Sequence, residues 1–112
     1  MITSTKLKSI VDQYEKGLIV IHFWAGWSGS AFLMNNILTD LKSDYQEKID
    51  FLVIDVEKEH ELVESLSIVE IPTLMFLNTY NNTLEGIYTG IFSKQRLKSE
   101  LDTMLTKIQT IL

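Results

Sequence analysis

Three short runs of aliphatic, β-branched and aromatic residues, LIVIHFW at 18–24, IDFLVIDV at 49–56 and TLMFL at 73–77, are separated by stretches with helical periodicity. A run of that length with few polar members reads as a strand buried on both faces, because a half-exposed strand would alternate apolar and polar side chains. Residues 4–16 place Leu7, Ile10, Val11 and Tyr14 at i, i+3, i+4 and i+7, with Ser4 or Thr5 as a cap and Gly17 as the stop. A second helix starts near Ser30, presents Leu33, Ile37, Leu38, Leu41 and Tyr45 inward, and ends around Asp44 to Lys48. After the second run, the acidic segment EKEHE leads into a short helix through Leu62, Val63 and Leu66. TLMFL and EGIYTG, joined by the turn-forming NTYNNT, predict an antiparallel hairpin. Ser93 then caps a last helix with Leu97, Leu101, Met104, Leu105 and Ile108 on one face.

The resulting order is α-β-α-β-α-β-β-α. Strands that alternate with helices imply parallel neighbours joined by right-handed crossovers, and the closing hairpin adds antiparallel ones. The expected fold is α/β, a small central mixed β-sheet with helices on both faces. At 112 residues the chain has the length of a single domain, 1–112, with room for one core. A content of 46% hydrophobic and 22% charged residues separates it from disordered and low-complexity chains.

Charge and composition remove several classes of function. The formal charge of −5 repels a polyanion, and the cluster Lys94, Arg96, Lys98 is followed at once by Glu100 and Asp102, so no nucleic-acid partner is expected. Apolar runs such as LIVI at 18–21 fall far short of the ~20 residues that span a bilayer. The N-terminus, MITSTKLKSI, has no apolar signal core, so the expected location is cytoplasmic, with no membrane partner. The chain has no Cys, which removes disulfides, thiol catalysis and thiolate metal ligation together. Asp55, Glu57 and Glu59 follow a strand, where carboxylates ordinarily complement a helix start, and no metal or other cofactor is expected.

One stretch stands out. HFWAGWSGSAFLMNNIL, 22–38, runs from strand to helix through a turn holding Trp24, Trp27, Gly26, Gly29, Ser28 and Ser30. FWAGWSGSA resembles the active-site segment of the thioredoxin family, whose usual form is F-W-A-x-W-C-G-P-C, with Ser28 and Ala31 standing at the two cysteine positions. IPT at 71–73 resembles the family's cis-proline loop, and TGIFSKQRLKSEL resembles its closing segment, a Gly followed shortly by Ser-Lys and an amphipathic helix. The match runs nearly end to end, with the family's first strand reduced to Met1–Thr3 or absent. Pro72 is the only Pro in the chain. Its position at the mouth of a strand suits an ordinary strand-start residue. The resemblance instead implies a cis bond after Ile71, beside the redox turn, leaving the Ile71 backbone free to pair with an extended peptide. It also implies a peptide-binding surface of Trp27, Gly29, Ser30, Ile71, Pro72, Gly90 and Ile91.

The resemblance implies a protein whose parent activity is thiol–disulfide exchange, reducing disulfides in client proteins as part of cell redox homeostasis. That chemistry needs one thiolate to attack and a second to resolve the mixed disulfide. Ser28 is a poor nucleophile without a base, and Ala31 has no reactive group. As written, the chain is expected to be inactive in that reaction. Serine is nearly isosteric with cysteine, so a naturally sulfur-free member and a replaced parental site both remain open. The alternative function is a redox-silent module that binds an extended peptide or protein partner, and a monomer is the expected state.

Other residues depart from the family pattern. His22 occupies the position of a buried Asp, where a neutral imidazole could relay protons or could simply be a strand His satisfied by a neighbour. Ser30 replaces the Pro of the turn, and helix capping is its expected role. Gly26-Trp27-Ser28-Gly29-Ser30 is one residue away from the G-x-S-x-G nucleophile elbow. His22 and His60 are the only possible bases, one on the strand before Ser28 and one in a charged segment, so a hydrolase is not expected. Met34, Phe32, Phe76 and Phe92 are assigned to packing.

Overall fold

The structure, a computed structural model, describes residues 5–111. Its elements are α1 (Thr5–Val11), β1 (Leu18–Trp24), α2 (Gly29–Tyr45), β2 (Ile49–Asp55), α3 (His60–Ser65), β3 (Thr73–Asn78), β4 (Thr83–Thr89) and α4 (Lys94–Ile111). The strands form one sheet in the order β2-β1-β3-β4. β1 runs parallel to β2 and antiparallel to β3, and β3 pairs with β4 as an antiparallel hairpin. The 17 residues of α2 are long enough to return the chain to the starting end of the sheet, which makes β1 and β2 parallel. The six residues of α3 cover only ~9 Å, so β3 enters from the end at which β2 leaves and runs the other way.

Successive β1 side chains point to opposite faces. Leu18 and Val20 join Met34, Leu38 and Leu41 of α2 and Leu97, Leu101 and Met104 of α4. Ile19, Ile21 and Phe23 join Leu7 and Val11 of α1, Leu62 of α3 and Met75 and Leu77 of β3. Each fully buried side chain of this size contributes about 1.5–3 kcal/mol, so the two cores fix the helices to both faces. Tyr45 at the end of α2 donates a 2.6 Å hydrogen bond to Asp102 Oδ1, tying α2 to α4. The hairpin turn folds back onto the entry to β1. Thr79 N–H donates to Gly17 O at 2.8 Å, and Gly17, at φ +104°, lies against Tyr80 where a Cβ would meet the ring at 2.5 Å.

Several expectations change. α1 ends at Val11 rather than near residue 16, Thr5 lies inside it, and Tyr14 is half-buried beyond it. Ser4 as a cap, and a first strand at Met1–Thr3, lie outside the described residues. β2 is not buried on both faces: among the described residues it forms an edge of the sheet, and Val53 is exposed. A cleft of about 520 Å³ lies beside it, lined by residues including Tyr14, Trp24 and Val53. Leu33 is exposed instead of facing inward, because Met34, Leu38 and Leu41 fill the face of α2 that meets the sheet. Phe32 is half exposed, its ring edge-on to Trp24 at 5.1 Å, so it covers that Trp rather than filling the core. Among the described residues, no helix is long and apolar enough to cross a membrane.

Candidate functional site

The sheet register builds the site. Phe23 pairs with Thr73, and Thr73 with Thr89, so β1 leaves, β3 enters and β4 leaves at the same end of the sheet. The turn after β1, the Ile71-Pro72 segment before β3 and the Gly90-Ile91 segment after β4 therefore share that end. Gly90 N–H donates to Pro72 O at 3.0 Å, binding two of the three segments directly. Gly90 makes that turn at φ +93°, a conformation an L side chain rarely takes. The Ile71–Pro72 peptide bond is cis.

Ser28 is the N-cap of α2. Its backbone is extended (φ −98°, ψ 111°), and its Oγ accepts a 3.1 Å hydrogen bond from Ala31 N–H, satisfying one of the donors that a helix start leaves open. Its carbonyl accepts from Phe32 N–H and its own N–H donates to Ala25 O. The cap is thus Ser28, not Ser30, which lies exposed inside the first turn. A capping residue needs extended backbone just before the helix, and the sequence offers a hydroxyl at both positions. Ala31 is fully buried. At the two positions where the resemblance puts sulfur, one side chain holds the helix end and the other fills the core beneath it.

Exposed apolar side chains occur on the segments that share this end of the sheet. Trp27 is 69% exposed, Ile91 48% and Val69 89%. Gly29 and Gly90 are exposed, Ile71 is half-buried and Pro72 is buried. The Ile71 N–H and carbonyl take no hydrogen-bond partner among the described residues, whereas Glu70 O accepts from Thr73 Oγ1 at 2.6 Å. Val69 was missed by sequence reasoning. The signal available was an apolar residue in a segment with neither helical nor strand periodicity, just before the Pro.

His22 lies on the β1 face that meets α2 and is 1% exposed. Among the described residues neither ring nitrogen has a partner within hydrogen-bonding geometry. Burial lowers its pKa from 6.5 to about 4, and the Asn35 side chain, near the ring but outside hydrogen-bonding geometry, acts in the opposite direction. The imidazole is therefore neutral at pH 7. It makes no hydrogen bond to Ser28, and His60 is exposed at the start of α3, so no base activates the Ser28 hydroxyl. The carboxylates after β2 have other partners: Asp55 Oδ1 accepts from Glu57 N–H at 2.9 Å, and Glu59 pairs with Lys6 at 2.7 Å.

The thioredoxin family profile matches residues 1–103. The chain belongs to the thioredoxin family. It is 28% identical over 95 residues to glutaredoxin-3 of Bos taurus, covering 83% of this chain and 28% of that protein. It is 33% identical over 64 residues to thioredoxin of Staphylococcus aureus, covering 57% of this chain and 62% of that one. The chain thus spans less than two thirds of the length of either relative. Among solved structures, the germline-specific thioredoxin Deadhead of Drosophila melanogaster superposes with a TM-score of 0.74 at 27% identity, covering 87% of this chain and 90% of that one. The thioredoxin fold is shared, and this member carries it without cysteine.

Proposed function

We propose that this protein is a redox-silent thioredoxin-fold module that binds an extended, apolar peptide segment of a partner protein. The observation that carries the reading is the division of roles at one end of the sheet. Ser28 and Ala31 are committed to capping and packing, while Trp27, Val69 and Ile91 remain exposed beside the unpaired backbone of Ile71. A strand laid along Ile71 would gain main-chain hydrogen bonds, and the Trp27 ring would supply apolar contact. Thiol–disulfide exchange is unavailable to a chain with no Cys.

The test uses reduced, alkylated insulin B chain as an extended peptide that offers no disulfide. Amide shifts on titration are expected to cluster at Trp27, Ile71 and Ile91, and Trp27→Ala is expected to weaken binding at least tenfold. Shifts centred on the cleft beside β2, or no binding at all, would defeat the proposal. A second reading, a reductase parent silenced by substitution, draws on the near-isosteric Ser28 at the helix N-cap. Under it, the double change Ser28→Cys and Ala31→Cys restores insulin reduction by dithiothreitol; an inert restored protein removes that reading.

A further inference from the structure

His22 is the one polar member of β1, and nothing in the proposed peptide surface uses it. It borders a cavity of about 80 Å³ between α2 and the β1–β2 part of the sheet. β1 contributes Val20 and His22, β2 contributes Phe51, Leu52 and Val53, and α2 contributes Asn35, Leu38, Thr39 and Lys42. Lys42 is the only other ionisable group in that lining, and it is a cation. The ladder partners of His22 on either side are Val53 and Leu74, neither of which ionises, and α4 contributes no residue to the lining. Neither carboxylate of β2 lines this pocket: Asp50 Oδ1 pairs with Lys16 at 3.4 Å while its Oδ2 is buried without a partner among the described residues, and Asp55 Oδ1 accepts from Glu57 N–H. A proton on His22 would therefore create a buried charge with no anion in that lining to neutralise it.

We propose that His22 is an acid-operated latch between β1 and α2. When the imidazole takes a proton, the seam between α2 and β2 opens along Asn35, Thr39 and Lys42 and admits water to the ring. The closed state requires the neutral ring, because the pocket offers a cation apolar walls, an amide and a hydroxyl but no carboxylate. Low folded-state proton affinity agrees with this geometry, since burial holds the pKa near about 4 against 6.5. The open state binds the proton with ordinary affinity, so the open-to-closed ratio rises about tenfold for each unit that the pH falls between those two values. α2 begins directly after Ser28, so opening the seam also disturbs the turn that carries Trp27.

The test follows amide hydrogen exchange in the full chain and in His22→Leu from neutral pH down to about 4.5, corrected for intrinsic exchange. The α2 amides around Leu38 and Leu41 are expected to lose protection with falling pH ahead of those in β3, and His22→Leu is expected to remove that loss. Equal loss in the variant, an unchanged parent, or simultaneous loss across β3 would each overturn the latch. Should the variant not fold, ring-carbon NMR on labelled histidine replaces it. The chain has two His, so two ring signals are expected and His22 is assigned by its burial. The His22 midpoint is expected to lie at least one pH unit below the ordinary imidazole value of 6.5, and a midpoint at or above that value overturns the proposal.

Discussion

The two faces of β1 are built differently. Toward α1 and α3 it presents Ile19, Ile21 and Phe23, all fully buried and all apolar. Toward α2 and α4 it presents Leu18 and Val20 and then His22, equally buried but with two ring nitrogens that bond to nothing. On the first face no side chain of the β1 stripe can ionise. The second carries a conditional element: it packs well only while one imidazole stays neutral. The stripe with the conditional element leads directly into the Ser28 turn. Stability on one face therefore depends on volume, and on the other on protonation.

The comparison can be broken most forcefully on the apolar face. Phe23→Ala should cost about 3–5 kcal/mol in urea unfolding, since it opens a cavity in a fully buried site. A loss below about 1 kcal/mol would mean that this face is not close-packed. Next in size is the acid response of the other face. The folded-state pKa of His22 lies below its unfolded value, so its contribution is complete above about 6.5 and is lost as pH falls toward about 4. With about 1.4 kcal/mol per pKa unit, the loss reaches about 3 kcal/mol at its limit, and His22→Leu should abolish that part of it. If the parent and the variant trace parallel stability curves over that window, the two faces do not differ in the way described.

Smaller effects belong to the turn. Ser28→Ala should cost about 1 kcal/mol by removing the acceptor for Ala31 N–H, whereas Ser30→Ala should be close to neutral. Equal costs at both positions would show that the cap is shared. Smallest of all, Trp27→Ala should shift stability by no more than about 0.5 kcal/mol, because its ring is mostly in solvent. A large loss there would make Trp27 a packing residue and remove it from the proposed binding surface.

Much of this organisation is legible in the residues. The apolar runs located β1 and β3, and the i, i+3, i+4 spacing of Leu97, Leu101, Met104 and Ile108 located the buried face of α4. Ser93 caps that helix as its position suggests, its Oγ accepting from Arg96 N–H at 3.1 Å. The motif FWAGWSGSA points to the thioredoxin family. Leu33, Phe32 and Val53 were misplaced for one shared reason: an apolar side chain does not say which neighbours already fill the core. Ser28 and Ser30 were interchanged as caps because hydroxyl chemistry is the same at both, and only the backbone angles separate them.

By itself, the sequence determined the strand and helix segments, the family, and the absence of thiol chemistry, because periodicity and side-chain identity are local properties. Tertiary structure alone decided that Ser28 rather than Ser30 closes the helix, that Val69 stands exposed at the end of the sheet shared by Trp27 and Ile91, and that His22 lies buried without a partner. Each of those depends on which atoms from distant parts of the chain arrive at one place. Whether a buried polar atom has a partner, or an apolar one has a cover, is a property of the packed assembly and of no single residue.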